Sequence, residues 1–144
     1  MTELKTSLNI VWHGGATGNG TLKADYLDTK VAIPTSLGGS GTGTDPKELL
    51  VSSAATCYIA TLTYMLESRK LPVVEHLINS EAVISDNGFN ITHYPQIILS
   101  ADVTETQIQS AQRAIEGADK ACEVGNLLKN AGVVIEVEGK VSLK

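Results

Sequence analysis

Short apolar-biased runs open the chain. "SLNIVW" (residues 7–12), "TLKADYLD" (21–28) and "TKVAIP" (29–34) are separated by Gly-rich and Asp-containing turns, and predict three short strands. Residues 35–44, "TSLGGSGTGT", predict a flexible loop. The pattern then changes. Asp45 is placed to cap a helix, with Pro46 at its first position and Glu48 two residues further on, a capping-box arrangement. This helix runs to about Lys70, because Pro72 blocks continuation, and Arg69 and Lys70 suit its C-terminal dipole. From Ala54 to Leu66 it is apolar or small on nearly every face, the pattern of a centrally buried helix.

Residues 73–85 and 89–103 predict two long strands joined at "DNG", with Pro95 marking an edge or a bulge. Thr104 and Gln107 begin a polar helix through "ETQIQSAQRAIEGADKAC" by a second capping box. A short helix, "VGNLLKN", precedes Gly132, and "VVIEVEGKVSL" closes the chain as a strand. The order βββ-α-ββ-α-α-β predicts an α+β fold with antiparallel sheet, in one domain over residues 1–144. A helix apolar all round needs more cover than one small sheet supplies, so a homodimer is expected.

Composition narrows the function classes. Hydrophobic residues make up 42% of the 144 and charged residues 19%, a globular balance. No stretch reaches the ~18 uninterrupted apolar residues of a membrane helix, and "MTELKTSLNI" has no signal-peptide core. No membrane role is expected, and the cytoplasm is the expected compartment. Net charge is −5 with no basic block, which argues against nucleic acid.

Candidate chemistry rests on two cysteines, Cys57 within the apolar helix and Cys122 where one helical pattern gives way to the next. Cysteine often serves as a small buried hydrophobe, so Cys57 is either core or a nucleophile in a dry pocket. His13, His76 and His93 fall on separate strands without ligand spacing, so no metal is expected. "GGATGNG" and "GGSGTGT" lack the spacing of a phosphate loop. Tyr58 and Tyr64 beside Cys57 suit core or dimer packing, with a phenol donating to bound peroxide as the alternative.

"GTDPKELLVSSAATCYIATLTYML", with "ADKACEVGNLLK" further on and "VWHGGATGNGTLKA" near the start, resembles the OsmC/Ohr family of osmotically inducible and organic hydroperoxide resistance proteins. The resemblance covers essentially the whole chain. It carries a helix start of the N-P-E-E-L-L type and a second cysteine in a C-P-V-S type turn, here Cys122-Glu123-Val124-Gly125. It implies an intertwined homodimer with antiparallel sheets around long central helices. It also implies thiol peroxidation without a cofactor. Cys57 would be the peroxidatic thiolate and Cys122 the resolving thiol, with a dithiol, in the family often a lipoylated protein, as reductant. An apolar helix suits organic over hydrogen peroxide.

The family also supplies an activating arginine and a supporting glutamate. The arginines here are Arg69 and Arg113, neither before the long helix. Alignment places Ser36 or Ala16 at the arginine positions and Lys47 at the glutamate, with Glu48 next to it. Lys47, Glu48 and Ser36 are therefore the candidate supporting residues. Lys47 could act as a point charge on a partner's thiol, since along one straight helix it is roughly 15 Å from Cys57. The expected function is an organic hydroperoxide peroxidase. The alternative is a weakly catalytic or non-catalytic homodimer that binds an apolar small molecule or senses redox state.

Overall fold

Helix α1 (Pro46–Ser68) begins where its first amides find an acceptor: the Asp45 carboxylate takes the Glu48 N–H at 2.8 Å. Pro46 fills the first position, where no N–H is required. The computed structural model describes residues 3–144. They pack as two compact units, the first ending at Leu50 and the second running Val51–Lys144.

In the first unit, β1 (Asn9–His13), β2 (Asn19–Lys23) and β3 (Asp28–Val31) form an antiparallel meander with Trp12 opposite Gly20 and Thr21 opposite Lys30. The β1–β2 turn needs Gly18, because a Cβ there would lie 1.8 Å from the His13 carbonyl oxygen. Ile10, Trp12, Leu22, Val31, Pro34 and Leu49 line an apolar hollow of about 460 Å³.

The segment 35–44 is not the free loop expected from its glycines. It contains a 3-10 turn over Thr35–Leu37. Gly41 N–H donates to Ile33 O, Ala32 N–H to Thr44 O, and the Ser40 hydroxyl to Gly18 O. Its backbone groups are satisfied by β3 and the β1–β2 turn, which pins the segment down.

In the second unit, β4 (Val73–Ser85) and β5 (Gly88–Leu99) form the long hairpin, turning at Asp86–Asn87. Buried and less buried positions alternate along β5, so Ile91, His93, Pro95, Ile97 and Leu99 all face the core. Helix α2 (Glu105–Ala121) starts at the Thr104–Gln107 capping box, with both reciprocal bonds made. Helix α3 (Glu123–Asn130) follows after one residue.

The closing strand is broken into β6 (Val134–Val137) and β7 (Lys140–Leu143). Both pair with β5, and both run parallel to it, against the expectation of antiparallel sheet throughout. The reason is the α2–α3 crossover, which returns the chain to the starting end of β5. Pro95 is therefore in a central strand, not at an edge. His93 and Leu99 carbonyls accept N–H groups from Glu138 and Lys144, so alternate residues of β5 turn their backbone groups to this side. Pro95, between them, meets the gap between β6 and β7, where no ladder bond is made and a missing N–H costs nothing.

The core joins α1, α2 and β5 through Tyr58, Leu62, Leu66, Ile97, Leu99 and Ile115. Helix α1 buries Ala54, Tyr58, Leu62 and Leu66, a stripe at every fourth residue. Ala111, Ala114 and Ala118 give α2 a small-residue face, and a Cβ on Gly117 would come 3.3 Å from Met65 Sδ. Arg69 donates to the Ser110 carbonyl at 2.7 Å, tying the end of α1 to α2.

Within one chain α1 is thus buried on one stripe, not on every face, and Tyr64 is 78% exposed. By length and composition α1 alone among helices of the described residues could cross a membrane, despite its interspersed Ser and Thr. Its packed stripe is that of a core helix, and core helices share this composition.

Candidate active site

The two cysteines converge. Cys57 lies beside the buried stripe of α1 and is partly buried. One turn on, the Thr61 hydroxyl donates to the Cys57 carbonyl at 2.8 Å, a common use of threonine inside a helix. Cys122 is the single residue joining α2 to α3. Its extended backbone (φ −68°, ψ 111°) ends one helix and caps the next. Its Sγ accepts the Gly125 N–H at 3.4 Å and is buried.

The groups that lower the Cys57 pKa are the Cys122 thiol, the backbones of Val124 and Glu123, and the Thr61 side chain. Burial pushes the Cys57 thiol up, but these neighbours outweigh it and leave its pKa below the ordinary value of 9.0. The pair is split in opposite directions. Burial, the hydrogen bond to Cys57 and the charges of Cys57 and Asp119 push Cys122 up to about 11, against the Gly125 N–H. One sulfur is set to carry charge and its neighbour to keep a proton.

The surroundings are built for packing. Tyr58 is fully buried and donates its hydroxyl to the Ile115 carbonyl at 2.8 Å, so that phenol is engaged in the core. Its ring stacks on His93, centroids 5.1 Å apart, and His93 Nδ1 bonds Ser80 Oγ at 2.7 Å. Burial lowers the pKa of His93. His76 bonds Thr63 at 3.2 Å and His13 lies exposed on β1. Asp119 pairs with Lys129 at 3.0 Å, bracing α2 against α3.

Lys47 is an exposed residue of the first turn of α1, and Ser36 is exposed in the 3-10 turn. Glu48 is held at the helix start, its carboxylate accepting from the Thr44 hydroxyl. Sequence reasoning missed the α3 amides and Thr61. The readable signal was a cysteine placed to cap a short helix, but cysteine is not a usual N-cap residue and the pattern passed as a turn.

Residues 39–138 match the family model described as OsmC-like protein. The chain is 30% identical over 141 residues to the uncharacterized protein YmaD of Bacillus subtilis (strain 168), covering 94% of this chain and 93% of that one. Its fold is similar to that of an OsmC-like protein from Mycoplasma pneumoniae, at 21% identity and a TM-score of 0.74, covering 98% of this chain and 99% of that one. It is also similar to an organic hydroperoxide resistance protein from Elizabethkingia anophelis, solved with thiocyanate bound. There the identity is 26% and the TM-score 0.65, with all of both chains covered.

Proposed function

The chain belongs to the OsmC-like protein family, and from that premise we propose that it is a thiol-dependent peroxidase acting on organic hydroperoxides. The observation that carries this reading is the convergence of two cysteines at one core cluster, Cys57 with its pKa lowered and Cys122 with its pKa raised. In the first step the Cys57 thiolate attacks one peroxide oxygen and the O–O bond breaks. The alkoxide leaves and takes up a proton as alcohol, and Cys57 becomes a sulfenic acid. In the second, the Cys122 sulfur displaces the hydroxyl, a disulfide forms and water leaves. An external dithiol, of which a lipoylated protein is one source, returns two electrons and two protons. The name of the Elizabethkingia relative agrees with this substrate class.

The partner is a second copy of the chain. The exposed side of α1, including Ala60, Thr63 and Tyr64, is apolar or small and calls for cover that one chain lacks. The reaction suits the reducing cytoplasm, where free thiols persist. Lys47, Glu48 and Ser36 are assigned supporting roles at most.

The test is a peroxide titration of the fully reduced protein, with cumene hydroperoxide and hydrogen peroxide in separate series. Rapid loss of both thiols with a mass loss of two hydrogens is expected, faster with the organic peroxide. Thiols that survive minutes in excess peroxide sink the reading.

One observation favours a second reading, an apolar small-molecule binder. The hollow of about 460 Å³ in the first unit is lined almost wholly by carbon and is large enough for a small organic ligand.

A further inference from the structure

His93 ties the sheet to α1. Its Nδ1 bonds the Ser80 hydroxyl at 2.7 Å, directly across the β4–β5 ladder. Its carbonyl accepts the Glu138 N–H at 2.9 Å, between β6 and β7. Its ring stacks on Tyr58 of α1, with centroids 5.1 Å apart and planes inclined at 22°. Tyr58 in turn donates to the Ile115 carbonyl of α2 at 2.8 Å. Sheet, α1 and α2 are thus joined through one imidazole and one phenol, and His93 is only 2% exposed.

A buried imidazole makes a conditional contact. Neutral, it packs like any aromatic ring; a proton gives it a charge that burial disfavours. The pleat also fixes where the ring projects. β5 is a central strand, and its odd-numbered positions from 91 to 99 all face the core. A charged ring therefore reaches water by parting α1 from the sheet. We propose that His93 is an acid-operated latch: neutral, it holds α1 closed on the core that buries Cys122; protonated, it releases that stretch of the helix. The stretch is the one that bears on the thiols, because Tyr58 follows Cys57 in the chain and shares its core cluster with Cys122. The latch goes beyond the peroxidase reading and does not rest on it.

The surroundings of the ring agree. Burial is the largest influence on it and holds its pKa below the usual 6.5. Asp119 of α2 favours the proton and Lys129 of α3 opposes it, and these two are paired with each other at 3.0 Å. α1 brings Tyr58 to the ring, β4 brings Ser80, and Val137 of β6 lies opposite in the ladder. The sign follows from linkage. An opened His93 takes its proton near 6.5 and a closed one only at lower pH, so acid favours opening. One pH unit below 6.5 the gain is about tenfold.

Cys122 is the reporter, being 2% exposed while α1 is closed. The full chain carries Cys57→Ser, so that no exchange between the cysteines intervenes. It is treated with 2,2′-dithiodipyridine, which still reacts with thiols in weak acid. The rate at Cys122 is divided by its rate in the urea-unfolded chain at the same pH, and far-UV circular dichroism checks that the helices persist. This ratio is expected to rise about tenfold from pH 7 to pH 5.5. Adding His93→Gln, whose amide can keep the Ser80 bond but takes no proton, is expected to leave the ratio level. A merely structural role would raise the ratio in His93→Gln at every pH and leave its acid dependence in place.

A level ratio with His93 in place overturns the proposal, and so does an equal acid rise with His93→Gln. A second measurement needs no altered residue. The His93 ring carbon shifts in the unaltered protein should stay those of a neutral imidazole until below pH 6.5, and then change together with the Tyr58 ring signals. A His93 that takes its proton while the Tyr58 signals stay fixed overturns the proposal even if His93→Gln fails to fold. Peroxide consumption is measured separately. A chain that passes these tests yet leaves cumene hydroperoxide intact loses the peroxidase reading and keeps the latch.

Discussion

Cys57 and Cys122 lie sixty-five positions apart in the chain yet meet at one core cluster, and their pKa values move in opposite directions, Cys122 raised first by its burial and Cys57 lowered by its neighbours. The division of labour sets the first expectation. Cys57→Ser should reduce peroxide consumption to the uncatalysed rate. Cys122→Ser should allow one turnover and leave a sulfenic acid on Cys57 that dimedone traps. Both are read by intact mass, and a Cys122→Ser protein that turns over fully with dithiol would remove Cys122 as resolving thiol.

The raised pKa of Cys122 has a sign that can be worked out. Between its ordinary 9.0 and the folded value of about 11, the unfolded chain has lost this proton and the folded chain keeps it. Stability from this group therefore falls as pH rises through that window. The thermal midpoint should drop between pH 9 and 11, and drop less in Cys122→Ser. Cys57 acts in the other direction, adding stability as pH rises from its lowered value towards 9.0.

Tyr58 is expected to serve the core and not the chemistry. Tyr58→Phe removes the buried hydroxyl that donates to the Ile115 carbonyl, which should cost about 0.5–1.5 kcal/mol in urea unfolding. Labelling of Cys57 should be unchanged. A selective loss of peroxide reduction without loss of stability would restore the phenol as a donor to substrate.

Helix α1 ends in a left-handed residue that is not glycine. Lys70 has φ of 54°, its N–H bonds Glu67 O, and Leu71 N–H bonds Leu66 O. That is a Schellman closure, which glycine adopts without steric cost. Lys70→Gly should stabilise the fold by about 1 kcal/mol and raise Tm by roughly 2–4 °C in calorimetry.

Trp12, the one tryptophan, lines the apolar hollow of the first unit and donates its indole N–H to Gly15 O at 2.7 Å. If the binding reading holds, decanoic acid should shift Trp12 emission to the blue in a saturable way. Unchanged emission to the solubility limit would count against a ligand in that hollow.

The sequence by itself determined the elements whose signals are local. The Asp45–Pro46 and Thr104–Gln107 helix starts, the β4–β5 hairpin and the end of α1 before Pro72 all follow from residues within a few positions of one another. The candidate cysteines were legible too, through the resemblance of the stretches around them. Tertiary structure decided the rest, because it turned on contacts between distant segments. The parallel pairing of β6 and β7 depends on the crossover through α2 and α3, and only that pairing gives Pro95 a place in a central strand. Which groups surround the Cys57 sulfur depended on how α3 docks on α1. A sequence search for activation looks for a charged side chain near the cysteine in the chain, whereas the residues that lower the Cys57 pKa include Cys122, Glu123 and Val124, more than sixty positions away.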